Sequence, residues 1–127
     1  MILIIFSFLN TTGQGRKYNF LKLNTSNGLS HNQVNAIMKD SDGFLWFGTM
    51  YGLNRYDGYS FKTFKNKISD KSSIIDNSIL AINELPGKKL WINTRIGICI
   101  YNSETEKFDA DYGKFLISLG LPSNPIS

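Results

Sequence analysis

Thiol and imidazole are nearly missing from this chain: one cysteine, Cys99, and one histidine, His31, occur in 127 residues. A single thiol excludes an intrachain disulfide and a thiolate-based metal site. Cys99 lies inside the apolar run Ile98-Cys99-Ile100-Tyr101 and reads as a buried, inert thiol. His31 sits in a polar turn with no second histidine or carboxylate cluster near it in sequence, so no metal or general-base role is expected there. No apolar run reaches the roughly 20 residues that a membrane-spanning helix needs. Charge of one sign is not in marked excess either, with 14 basic and 10 acidic residues giving +4. Phosphate binding needs basic residues gathered on one face, and these are interspersed, so direct nucleic-acid binding is not expected. G-x-S-x-G, a phosphate-cradling loop with lysine and metal-ligand spacings are all missing, which leaves no catalytic residue, cofactor or metal to name. Asp40 and Asp42 are neighbours in a turn, badly placed to flank a sugar as a glycosidase pair must.

What is abundant is apolar and aromatic side chain, 42% and 13% of the residues, the composition of a globular chain. It is arranged as a repeat. The stretch Val34–Asp57 returns, without a gap, as Ile79–Asn102. Asn32 falls on Asn77, Ala36 on Ala81, Trp46 on Trp91, Thr49 on Thr94, Gly52 on Gly97 and Tyr56 on Tyr101, each at the same offset (91 − 46 = 45). That period matches the roughly 40–50 residues of a four-stranded propeller blade.

In chain order, residues 1–15 begin with the apolar Met1–Leu9, followed by small and polar residues. A signal peptide without a basic start, cleaved near Gly13 to Gly15, is the first expectation, and a buried strand is the alternative. Residues 16–33 hold a strand, Tyr18–Leu23, suited to closing a ring as the outer strand of its last blade, and then a turn. Residues 34–66 are expected as blade 1, with strands at Val34–Lys39, Phe44–Thr49, Leu53–Tyr56 and Ser60–Phe64. Residues 67–78 connect to blade 2 at 79–112, whose outer strand is expected around Lys107–Ala110. Residues 113–127 read as the start of a third, truncated blade, because Gly120–Ile126 resembles Gly28–Val34. Alternate residues of Phe44–Thr49 are largely apolar on both faces, so each sheet must be covered on both sides. No segment shows a convincing helical period, which leaves neighbouring sheets to cover them. The expected fold is therefore all-β: a β-propeller fragment of two four-stranded antiparallel blades, with an N-terminal closing strand and the approach to a third blade.

Gly28 to Ile37, Asp40 to Thr49 and Gly52 to Gly58 carry the pattern G-L-S-x-N-x-V-x-A-I, D-x-x-G-F-L-W-F-G-T, G-L-N-R-Y-D-G. It resembles the two-component regulator propeller repeat. The second copy departs from it at Pro86-Gly87, at Asn93 for Gly48, and at Ile98-Cys99-Ile100 for Leu-Asn-Arg. The resemblance implies the N-terminal part of the periplasmic sensor of a hybrid two-component histidine kinase. In that family two seven-bladed propellers and a β-sandwich precede a transmembrane helix, kinase, receiver and DNA-binding parts. It further implies a homodimer anchored in the inner membrane that responds to oligosaccharide and controls glycan-use genes. This segment itself would be no enzyme, and the remaining blades would be its partners.

Trp46 and Trp91 are expected to pack between blades, since they recur inside runs that are apolar on both faces. Asn32 and Asn77 precede the innermost strands, where they either close a turn or border a ligand near the axis. Arg55, Arg95 and Tyr51 are the remaining ligand candidates; Tyr51 and Arg95 fall in or beside corresponding turns. Lys62, Lys65, Lys67 and Lys71 follow the first unit and read as a solvated outer strand and loop, with contact to an anionic glycan as the alternative. Two rival functions stay open: the propeller portion of a secreted glycan-cleaving enzyme, and a subunit that assembles copies of itself into a ring.

Overall fold

In a computed structural model, the residues described are 2–8 and 17–123, with side chains from residue 21 onward. Each unit of the repeat folds as a meander of four antiparallel strands. Blade 1 is β3 (Val34–Lys39), β4 (Leu45–Thr49), β5 (Gly52–Tyr56) and β6 (Phe61–Phe64), in that order across the sheet; the N-terminal hairpin supplies β1 (Ile2–Phe8) and β2 (Lys17–Leu23). Blade 2 is β7 (Ile79–Leu85), β8 (Lys89–Thr94), β9 (Gly97–Asn102) and β10 (Lys107–Asp109). Local chemistry explains the turns. Asp40 accepts hydrogen bonds from the Phe44 amide (2.9 Å) and from the Trp46 indole N–H (2.7 Å), so the turn carboxylate also orients the first core tryptophan. Asp57 likewise accepts the Tyr59 and Ser60 amides, at 2.8 Å each.

Register repeats as faithfully as sequence. Val34 pairs with Thr49 and Ile79 with Thr94, and both innermost strands carry an irregularity at the same place, before Ala36 and before Ala81. The offset breaks only at the outer strand. Tyr56 pairs with Phe61, whereas its counterpart Tyr101 pairs with Phe108 (108 − 61 = 47). The last turn of blade 2 is thus two residues longer, and those residues carry Glu106.

Both faces of β4 are buried, as its double apolar pattern requires. Successive side chains point to opposite faces. Trp46 joins Leu53, Ile79, Ile92, Tyr101 and Phe108 in the core between the blades, while Phe47 joins Leu23, Leu29 and Tyr56 on the other face. Trp46 meets Tyr101 edge-on at 5.1 Å, and Phe64 lies 5.3 Å from Tyr101 and 5.7 Å from Phe108. Each such fully buried side chain contributes about 1.5–3 kcal/mol. Along the axis side, Asn35 donates to the Ile79 carbonyl (2.9 Å) and Glu84 accepts the Ser41 amide (2.9 Å), so the innermost strands of the two blades are tied directly.

Three expectations need correcting. Tyr18–Leu23 is not a lone strand: β2 pairs antiparallel with β1, from Ile2 opposite Leu23 to Phe8 opposite Lys17. A continuous apolar run such as Ile2–Phe8 is itself a good strand, and it meets the hydrogen-bonding needs of its neighbour. Second, the chain does contain a helix, α1 (Tyr112–Ser118), within the segment expected to lead into a third blade. It is only two turns long, too short for a legible period, yet Tyr112, Phe115 and Leu116 have the i, i+3, i+4 spacing that puts them on one face. That face lies on blade 2, with Tyr112 5.5 Å from Trp91 and Leu116 buried. Third, the strands begin or end within a residue of the expected bounds: β4 starts at Leu45, β5 at Gly52 and β6 at Phe61, and β10 ends at Asp109. The expected cleavage region, Gly13 to Gly15, and residues 124–127 of the expected third blade lie outside the described residues.

Candidate functional site

Each blade brings two features to the same end: the segment leading into its innermost strand and the turn between its second and third strands. In blade 1 they are stitched by a buried polar cluster. Ser30 and Thr49 hydroxyls are 2.7 Å apart, and Asn54 accepts the Ser30 amide (3.0 Å) and the Thr63 hydroxyl (3.1 Å). The Asn54 amide nitrogen donates to Ser30 Oγ (2.8 Å) and to the Phe47 carbonyl (3.2 Å). In blade 2 the counterparts of Ser30 and Asn54 are Ile75 and Cys99, an apolar pair. Burial pushes the Cys99 thiol up to about 11. The Arg95 amide there donates to the Ser78 carbonyl at 3.0 Å, joining the same two features.

Between the two ends lies an open cleft of about 260 Å³, lined by Met50 and Tyr51 of blade 1 and by Asp76, Asn77, Ser78 and Arg95 of blade 2. The turns put these side chains here because β-hairpin tips project beyond the sheet. Tyr51 is 56% exposed, and its ring stands 5.2 Å from His31. Arg95 Nε lies 3.7 Å from Asp76 Oδ2, close enough for an ion pair and too far for a hydrogen bond. That carboxylate oxygen is enclosed and has no hydrogen-bond partner. An exposed guanidinium and an open aromatic face can respectively donate to a ligand oxygen and cover a C–H surface.

Of the five residues picked from sequence, Tyr51, Asn77 and Arg95 meet in this cleft. Asn77 also has a local duty, its side-chain oxygen accepting the Asn66 amide at 2.7 Å. Asn32 does the equivalent in blade 1, accepting the Thr25 amide at 3.1 Å. Arg55 is elsewhere. It lies between the blades, 4.8 Å from the Phe44 ring centroid, and forms an ion pair with Glu106 at 3.0 Å. Lys62 pairs with the same carboxylate, and these two cations, Lys62 first, hold Glu106 below its ordinary value. Tyr101, beside Arg55, is pushed up to about 12 by burial. Asp76 and Met50 escaped the sequence reading. The 45-residue offset could have found Asp76, since it stands where blade 1 has His31. Among the described residues no group of three or more histidine, cysteine or acidic side chains gathers as a metal site. A larger hollow of about 490 Å³ lies under α1, lined by Lys89, Ile100 and Phe115 among others. It belongs to the face of blade 2 that corresponds to the packed Trp46 face of blade 1, and we read it as a packing surface.

Consecutive four-stranded meanders, stacked face to face about their innermost strands, define a β-propeller. Residues 28–51 match the model of the two component regulator propeller family. It is 40% identical over 73 residues, 56% of its length, to Histidine kinase P4 of Formosa agariphila. Among solved structures, it is similar to the extracellular domain of BT3049 of B. thetaiotaomicron, described as a hybrid two component system, with a TM-score of 0.64 and 38% identity over 71% of this chain. A second similar structure is the extracellular domain of BT4673 from the same organism, described as a one component system, with a TM-score of 0.53 and 25% identity over 72% of this chain. The chain spans only 5% of the length of the curated kinase and 13% and 14% of the two structures.

Proposed function

We propose that this chain is part of an extracytoplasmic ligand-sensing propeller of a hybrid two-component histidine kinase, and that the cleft between Tyr51 and Arg95 receives an oligosaccharide. The observation carrying the ligand class is the meeting of an exposed Tyr51 ring and an exposed Arg95 guanidinium in one open cleft. Arg95 donates to a sugar oxygen, and the Tyr51 ring covers a C–H face. The export of this segment and its link to a kinase are supported by the similarity to extracellular domains and to a histidine kinase. In such a protein bound sugar acts by favouring one of two arrangements of the sensor, to the extent that it binds one better than the other. Cleavage is the weaker reading, because a glycosidase uses two carboxylates and this cleft is lined by one, Asp76.

Titration calorimetry of the full-length protein with a panel of neutral oligosaccharides tests this. One or more should bind, and Tyr51→Ala and Arg95→Ala should each weaken that binding about tenfold, the loss of a single hydrogen bond to a charged group or a comparable contact. Binding that both variants leave unchanged would remove this cleft as the site.

A further inference from the structure

The lysines that follow the first unit do not simply line a solvated edge. Lys62, Lys65 and Lys67 converge with Lys107 of blade 2 on a groove of about 400 Å³ between the outer strands β6 and β10, with Phe64, Phe108 and Ile74 also among its walls. Two carboxylates share the groove, and both are occupied: Glu106 by Arg55 and Lys62, Asp70 by the Ser72 hydroxyl (2.7 Å) and amide (2.9 Å). Among the described residues the ammonium groups of Lys65, Lys67 and Lys107 make no ion-pair contact. Ser72 holds the Asp70 carboxyl below its ordinary value, helped by the nearby Lys67 and Lys107. The four lysines thus outnumber the two carboxylates of the groove.

The connection bearing Lys65 and Lys67 is folded on itself and docked. Its Lys67 amide donates to Ser73 Oγ (2.9 Å), its Asp70 amide to the Lys67 carbonyl (2.9 Å), and Phe108 of β10 donates to its Ser72 carbonyl (2.8 Å). That last bond matters for the ordinary explanation of edge lysines, which is to prevent strand-to-strand association. Here the connection already covers β10 beside Lys107, so guarding that edge does not account for Lys107.

We propose that this groove is a second binding site, for an oligosaccharide bearing sulfate or carboxylate groups. Fixed cations along a recessed, partly aromatic channel raise the local concentration of anions and match a charged chain better than a flat surface. The site is independent of the cleft at Tyr51 and Arg95, since no residue lines both.

The test is binding of a sulfated dextran oligosaccharide to the full-length protein, beside neutral dextran of the same length and anionic phospholipid vesicles. The sulfated chain should bind and the neutral one should not, with affinity falling steeply as salt is raised, because exposed charges are screened over about 10 Å at 0.1 M. Replacing Lys65, Lys67 and Lys107 together by glutamine should weaken it about tenfold, from a few-fold for each exposed pair, and Lys107→Gln alone should weaken it a few-fold. All three are exposed, so thermal unfolding should not change. Arg95→Ala should leave this binding intact, which separates the groove from the cleft. Equal binding of neutral dextran, indifference to salt or to the lysine variants, or binding of vesicles alone would each overturn the proposal, the last in favour of a membrane surface.

Discussion

Gly48 of blade 1 stands directly against Ile79 of blade 2: a β-carbon at Gly48 would fall 2.5 Å from Ile79 Cγ2 and 2.9 Å from its Cβ. Both atoms belong to a β-branched residue that cannot swing aside. Gly48→Ala should therefore destabilise the protein by about 1–3 kcal/mol, the usual cost of overpacking. Denaturant unfolding measures it, and the double variant with Ile79→Ala should lose less than the sum of the two single losses, because the Cγ2 contact is gone. Strictly additive effects of the two changes would show that this contact is not what excludes a side chain at 48.

Asn54 is the hub of a polar cluster in which Ser30, Asn54 and Thr63 are all replaced in blade 2 while Thr49 is kept as Thr94. Replacing it with cysteine, as in blade 2, removes the acceptor of the Ser30 amide and should cost about 1–3 kcal/mol. Changing Ser30 to isoleucine and Thr63 to alanine as well reproduces the blade 2 set, since Ile75, Cys99 and Ala110 hold the corresponding places. The triple variant should be more stable than Asn54→Cys alone. A triple variant less stable than the single one would mean that the two blades reach their stability by unrelated packing.

The Glu106 carboxylate couples the blades, and Lys62 and Arg55 depress its pKa below the ordinary 4.5. A depressed folded-state pKa contributes stability above the unfolded value that disappears as pH falls through the folded one. Thermal stability should thus decline as the pH is lowered below about 4.5, and Glu106→Gln should flatten that part of the profile. At neutral pH the variant should lose at most about 1 kcal/mol, because the carboxylate is partly exposed and solvent screens the pair. A profile unchanged by the substitution would assign the acid sensitivity to other carboxylates.

Cys99 is fully buried with its thiol raised to about 11, so at pH 8 only about one molecule in a thousand would carry a thiolate there. Labelling by a soluble maleimide, followed by intact mass, should be negligible in the folded protein and complete in denaturant. Rapid labelling under native conditions would show that blade 2 opens readily.

Several features were legible without coordinates because they repeat. The 45-residue offset put Trp46 over Trp91 and Thr49 over Thr94, and a strand apolar on both faces has to be enclosed on both. Turn residues such as Asp40 and Asp57 announced their hairpins through local hydrogen bonding, which needs no distant partner. From these the blades, their strand order and the corresponding tips at Tyr51 and Arg95 could be reached.

Tertiary structure alone decided which charged residues are free. Arg55 and Arg95 look alike in sequence, yet a turn lengthened by two residues carries Glu106 across to a largely buried Arg55, while Arg95, paired with Asp76, stays exposed at the cleft. The lysine groove, too, is assembled from two blades, and Lys107 lines it beside Lys65 although 42 residues separate them (107 − 65 = 42). Repetition along the chain sets what each strand does within its sheet. How neighbouring sheets meet depends on side chains brought together across dozens of residues, and no local pattern encodes that distance.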